Sequence, residues 1–84
     1  MDSNMQVLTK IKELNKEKTP ATFTTLRKEL PHIKNEIGLA LEALSDWGLI
    51  YGEYGDIGNN RAGRIYFLDE TAELLFKEQE NKSS

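Results

Sequence analysis

An α+β domain in the order α-α-α-β-β-α is the fold this sequence predicts, and three observations predict it. First, Leu41-Glu42-Ala43-Leu44-Ser45-Asp46-Trp47-Gly48-Leu49-Ile50 carries two leucines three apart, a glycine four residues later, and then Leu-Ile entering an extended run. Glycine can reverse a helix end at positive φ without steric cost. Second, a Gly- and Asn-rich stretch follows, and then the apolar run Arg64-Ile65-Tyr66-Phe67-Leu68, the pattern of a β-hairpin. Third, apolar residues upstream recur at helical spacing in stretches separated by Thr19-Pro20 and by Pro31.

The first helix is predicted from Asn4 to Lys16. Ser3-Asn4-Met5-Gln6 has the S-x-x-Q pattern of a capping box, and Val7, Leu8, Ile11 and Leu14 share one face. The polar loop Asn15–Pro20 follows, and Ala21-Thr22-Phe23 is a short extended segment. A second helix is expected to start at Thr24 or Thr25, either of which can cap it, with Leu26 and Leu30 inward. Pro31 has no amide hydrogen and restricts Leu30, so this helix ends there. His32 and Ile33 form a tight turn, and the third helix runs from Lys34 to Trp47 with Ile37, Leu41 and Leu44 inward and Ala40 beside them. Two helices so closely joined form a helix-turn-helix.

The strands are predicted at Leu49–Tyr54 and Gly63–Leu68. Their tip, Gly55 to Ala62, is rich in residues that tolerate positive φ. A last helix starts at Asp69 or Glu70 and ends near Glu78, with Ala72, Leu75 and Phe76 as its apolar face. The polar tail 80–84 is expected to fray, leaving an ordered core of residues 4–79 in a single domain spanning 1–84. Ile11, Leu14, Leu26, Leu30, Ile37, Leu41, Leu44, Leu49, Phe67 and Phe76 are expected to share one core.

The chain has 84 residues, 38% hydrophobic and 30% charged, which suits one small domain. It has no cysteine, which removes disulfides, Cys-based metal sites and thiol chemistry. No apolar run is long enough to cross a membrane, and the polar start Met1-Asp2-Ser3-Asn4 is unlike a signal peptide, so a cytoplasmic protein is expected. The formal net charge is −3. Residues 1–34 carry seven Lys/Arg against four acids, residues 35–68 two against five, and residues 69–84 two against five. Nucleic-acid binders draw most of their affinity from phosphate neutralisation, so only the first segment has the favourable sign.

A helix, a glycine stop and a hairpin is the order of a recognition helix followed by a wing. The chain resembles the winged helix-turn-helix domain of MarR-, ArsR- and PadR-type transcriptional regulators. The matching stretches are Phe23-Thr24-Thr25-Leu26-Arg27-Lys28-Glu29-Leu30 for helix 2, and Leu41 to Ile50 for the end of the recognition helix. Arg64-Ile65-Tyr66-Phe67-Leu68-Asp69-Glu70-Thr71-Ala72-Glu73-Leu74-Leu75 matches the last wing strand and the Leu-Thr-x-x-Gly start of the next helix. The resemblance covers residues 5–78 and implies three helices, a β-hairpin wing and a C-terminal helix. It also implies a MarR-like regulator of transcription that binds double-stranded DNA as a homodimer, with helix 3 in the major groove and the wing on the minor groove or backbone. Asp69 and Ala72 stand where the family often has Thr and Gly. On helix 3 the outward positions Asn35, Glu36, Gly38, Leu39, Glu42 and Ala43 depart from the family's usual Ser, Thr, Arg, Lys or Gln.

The candidate DNA-binding residues are Arg27, Lys28, His32, Lys34, Asn35, Leu39, Asn59, Asn60, Arg61 and Arg64. Asn can read adenine with two hydrogen bonds, and Lys can neutralise a phosphate; the plain alternative for Lys34-Asn35 is a helix cap and a solvated amine. Arg61 suits a narrow minor groove, while its plain alternative is a solvated side chain paired with Glu53 or Asp56. Gly52, Gly55 and Gly58 give G-x-x-G-x-x-G, which reads as hairpin chemistry because no βαβ unit follows. His32 is the only histidine and has no ligand-spaced carboxylates. No nucleophile–base pair is visible, so no enzyme, metal or cofactor is expected. Trp47, Tyr51, Tyr54 and Tyr66 read as a patch packing the hairpin onto helix 3, or as partner anchors. The second functional reading is a winged helix used as a protein–protein interaction module, through the acidic, partly apolar outer face of helix 3.

Overall fold

The structure, a computed structural model, describes residues 2–83 and the side chains of residues 2–80. Four α-helices, a 3-10 segment and a two-stranded antiparallel hairpin make an α+β architecture. The elements are α1 (Ser3–Lys16), α2 (Phe23–Glu29), the 3-10 segment Pro31–Glu36, α3 (Ile37–Asp46), β1 (Ile50–Gly58), β2 (Arg61–Leu68) and α4 (Glu70–Ser83).

Helix α1 buries Val7, Leu8, Ile11 and Leu14 on the face their spacing predicts. The capping box does not form. The N-cap is Asp2, with no side-chain cap, and Ser3 Oγ instead donates to Glu36 Oε1 at 2.9 Å. Helix α1 ends on Lys18, at φ 61°, with Lys18 N donating to Asn15 O and Thr19 N donating to Leu14 O. That pair of bonds is a Schellman closure, in which glycine is the usual occupant of the left-handed position. Gly48, at φ 73°, closes α3 in the same way, through Gly48 N to Ser45 O and Leu49 N to Leu44 O. The glycine stop read in the sequence is therefore a true helix end. Lys10 donates to Glu13 at 2.9 Å, and this bond holds the Lys10 ammonium above its ordinary pKa.

Helix α2 starts one residue earlier than expected. Its cap is Thr22, whose Oγ1 accepts from Thr25 N at 3.1 Å, so neither Thr24 nor Thr25 caps it and Phe23 lies in the helix rather than in a strand. The extended character of the preceding chain survives at Ala21, whose carbonyl accepts from Tyr66 N on the outer edge of β2. Pro31 ends α2 as expected, but the next element is a 3-10 segment interrupted at Ile33 (φ −126°, ψ 24°). Consequently α3 begins at Ile37, and Lys34 and Asn35 precede it rather than opening it. Pro31 at the first position fixes φ for a tight turn, and Ile33, the residue at the kink, is buried.

The hairpin is longer than predicted. Pairing runs from Ile50↔Leu68 to Gly58↔Arg61, with a bulge between Asp56 and Gly58, so the tip is only Asn59-Asn60. Both asparagines are left-handed (φ 53° and 59°), the backbone of a two-residue I′ turn. The last helix continues past Glu78 to Ser83.

The core is built from Val7, Ile11, Leu26, Ile37 and Leu44, with Leu14, Leu30, Ile33, Ala40, Leu41, Ile50 and Ala72 around them. Seven of the ten expected core residues are fully buried, and Leu49 and Phe76 are partly buried against the core. Phe67 is the error. Ile50 pairs with Leu68 on the inward face, so Tyr51 and Phe67 fall on the opposite face, where their rings stack at 5.6 Å. In Ile65-Tyr66-Phe67-Leu68 every residue is apolar or aromatic, and the period-two alternation that would set the phase is missing. Asn15 ties α1 to β2: its Nδ2 donates to Tyr66 O at 3.1 Å, and its Oδ1 accepts from Leu68 N at 3.0 Å.

Candidate nucleic-acid interface

The ten residues singled out from the sequence are all exposed, and they fall on four elements. Arg27 and Lys28 lie in the last turn of α2, and the Arg27 guanidinium stands 5.5 Å from the centre of the Phe23 ring, one helical turn away. His32, Lys34 and Asn35 lie on the 3-10 segment. His32 Nε2 is 2.6 Å from Gln6 Oε1, which ties its ring to α1. Leu39 projects from α3 and is 73% exposed. Asn59 and Asn60 form the hairpin tip, Arg61 is the first residue of β2, and Arg64 lies opposite Tyr54.

Two clefts open between the helices and the hairpin. In one, Thr22, Phe23 and Thr25 face Asn59, Arg61 and Arg64. In the other, Phe23, Glu42 and Asp46 of the helical side face Arg64 and Tyr66. Arg64 borders both, and Phe23 is the helical residue common to them. The structure thus brings Asn59, Arg61 and Arg64 together beside the start of α2. Lys28, His32 and Lys34 line neither cleft.

Among the described residues the ion pairs are Lys10–Glu13 at 2.9 Å and Lys12–Glu80 at 3.6 Å, both involving α1. Arg27, Lys28, Lys34, Arg61 and Arg64 belong to no ion pair among the described residues. The plain alternative for Arg61, pairing with Glu53 or Asp56, is not what the hairpin does. Asp56 instead turns back to accept from Gly58 N at 2.8 Å, shaping the bulge. Glu42 and Asp46, four apart on α3, border the second cleft as like charges. An anion entering there meets their repulsion as well as the attraction of Arg64.

Several residues of this surface carried no sequence signal. Thr22 as cap, Phe23 as the wall of both clefts and Tyr54 under the Arg64 guanidinium (5.6 Å) come from the structure alone. A Phe-to-Arg spacing of four could have flagged Phe23, had the helix been started there. Asn59 and Asn60 have an evident local role as turn formers. Among the described residues no cluster of three or more His, Cys, Asp or Glu side chains is arranged to hold a metal, and no helix is long and apolar enough to cross a membrane. Comparison of the chain with family models, with curated proteins and with solved structures returns no match.

Proposed function

We propose that this domain is a cytoplasmic winged helix-turn-helix regulator that binds double-stranded DNA. The observation that carries the reading is the set of exposed cations on α2, the 3-10 segment and the hairpin, none of which is in an ion pair among the described residues. Phosphate contacts supply most non-specific affinity, and cations already neutralised by carboxylates contribute little to it. In this reading Arg27 and Lys28 hold one stretch of backbone, Arg61 and Arg64 another, and Asn35 reads a base. Lys34 and Asn35 sit on the 3-10 segment just before the first residue of α3, rather than along the face of that helix.

A homodimer follows from the surface left uncovered by α1 and α4. Met5, Leu74 and Leu75 are 37%, 58% and 47% exposed, while among the described side chains of α4 the fully buried one is Ala72. Val7 is 0% exposed and belongs to the domain's own core, so it takes no part in that surface. Two copies related by a two-fold axis would bury the leucines reciprocally.

One observation favours the second reading. Leu39, at 73% exposed, stands on the outer face of α3 with Glu36 and Glu42 nearby in sequence, an apolar centre with an acidic rim. A protein partner with a basic rim would fit it. The two readings separate by mutation. A triple Arg27→Ala, Lys34→Ala, Arg61→Ala variant should lose duplex binding and lower the salt slope by about three units, one per phosphate contact. Leu39→Asp should be the damaging change if a protein is the ligand. Duplex binding by the triple variant at wild-type strength defeats the DNA reading.

A further inference from the structure

Gly52 does not need positive φ. Its glycine identity answers to a side chain on the neighbouring strand. A Cβ built on Gly52 would lie 2.8 Å from Arg64 Cδ and 2.9 Å from Arg64 Cγ. Those separations are closer than carbon atoms approach without contact strain, so the Arg64 stem occupies the space a side chain at 52 would take. The stem lies flat across β1, and its guanidinium rests 5.6 Å from the Tyr54 ring centre. Tyr54 is the residue directly opposite Arg64, and Tyr66 flanks the same slot, with Cε1 3.5 Å from the built Cβ. The Arg64 stem thus lies over Gly52 with its guanidinium against the Tyr54 ring, and Arg64 lines both clefts between the hairpin and the helices.

We propose that Gly52 is a positioning residue, and that the slot it leaves makes Arg64, rather than the tip residue Arg61, the principal phosphate contact of the hairpin. The proposal rests on the duplex-binding reading above. Holding an arginine in one orientation removes much of the rotamer entropy it would otherwise lose on binding. Arg61, equally exposed, follows the two-residue turn and has no ring beneath its guanidinium among the described residues. The alternative role for Arg64, neutralising Glu42 and Asp46 across the second cleft, is not realised as an ion pair among the described residues.

The test uses the whole chain and a mixed-sequence DNA duplex, read by fluorescence anisotropy over a range of salt. Arg64→Ala should weaken binding about tenfold and lower the salt slope by about one unit. Gly52→Ala leaves every charge in place but displaces the stem, and it should weaken binding by a similar factor while leaving the melting temperature unchanged or higher. The double variant should bind no more weakly than Arg64→Ala alone, because both changes remove one contact. Gly55→Ala is the control. A Cβ there meets Ile65 Cδ1 at 3.0 Å, a flexible methyl on the other face, and binding should not change. If Gly52→Ala binds like the unchanged protein while Arg64→Ala does not, the slot has no role. If Arg64→Ala itself binds normally, Arg64 is not the contact. If the unchanged protein binds no duplex, the DNA reading fails and the role of Arg64 with it. The slot is then judged by nuclear Overhauser effects between Gly52 Hα and the Arg64 γ and δ protons, which should be strong, and whose absence overturns it in either case.

Discussion

Leu44 and Leu39 lie five residues apart on α3, and truncating each to alanine should separate core from surface cleanly. Leu44 is 1% exposed within the main core, whereas Leu39 is 73% exposed. Removing the Leu44 branch forfeits its transfer free energy and leaves a cavity among α1, α2 and α3, together about 3–4 kcal/mol. A domain of 84 residues has only about 4–13 kcal/mol of stability in total. The melting temperature should therefore fall by roughly 12–30 °C, at about 4–8 °C per kcal/mol for a chain this short. Leu39→Ala should stay within about 0.5 kcal/mol of the unchanged protein, because it exposes nothing new and alanine favours the helix. Urea unfolding followed by far-ultraviolet circular dichroism measures both. The packing argument fails if the two variants lose comparable stability, or if Leu44→Ala loses less than about 1 kcal/mol.

Other outcomes follow from single contacts. Thr22→Ala should cost about 1 kcal/mol, the usual worth of an N-cap, while Thr24→Ala should be near neutral; thermal melts decide between them. Asn15→Ala strands Leu68 N and Tyr66 O, and should cost about 2 kcal/mol or more by chemical denaturation. Lys18→Gly should stabilise the protein by roughly 0.5–1 kcal/mol, since Lys18 sits at φ 61° where glycine is unstrained; a lower melting temperature would contradict the assignment of that helix end. Leu74→Asp with Leu75→Asp should leave a folded monomer in sedimentation where the unchanged chain is a dimer, and a monomeric unchanged chain at high micromolar concentration would remove the homodimer from the account.

Much of the architecture was legible because a few residues have strong local consequences. Gly48 closes α3, Pro31 ends α2, and the helical spacing of Val7, Leu8, Ile11 and Leu14 sets the buried face of α1. Other details were not legible because the sequence allowed two answers and tertiary contacts chose between them. Ser3-x-x-Gln6 could have formed a capping box, but Ser3 reaches Glu36 and Gln6 reaches His32, thirty-three and twenty-six residues away. Thr24 and Thr25 were the expected caps of α2, but Thr22 takes that place and puts Phe23 inside the helix, against both clefts. The strand phase at Phe67 was undetermined because no polar residue marked the outward face. The same holds at the candidate interface. The cations were visible individually, but their lack of ion-pair partners, and the slot at Gly52, depend on side chains brought together across strands and helices. Gly52, Gly55 and Gly58 read alike as hairpin residues, yet of these only Gly58 has positive φ, while Gly52 and Gly55 lie beneath Arg64 and Ile65.

The central claim is that a chain of net charge −3 binds duplex DNA through five exposed cations on α2, the 3-10 segment and the hairpin. The most direct test is the salt dependence of duplex binding by the unchanged protein. With Arg27, Lys28, Lys34, Arg61 and Arg64 all on phosphates, the logarithm of the association constant should fall against the logarithm of salt concentration with a slope of about −4 to −5 per chain. Absence of duplex binding at low salt, or a slope near zero, would contradict it.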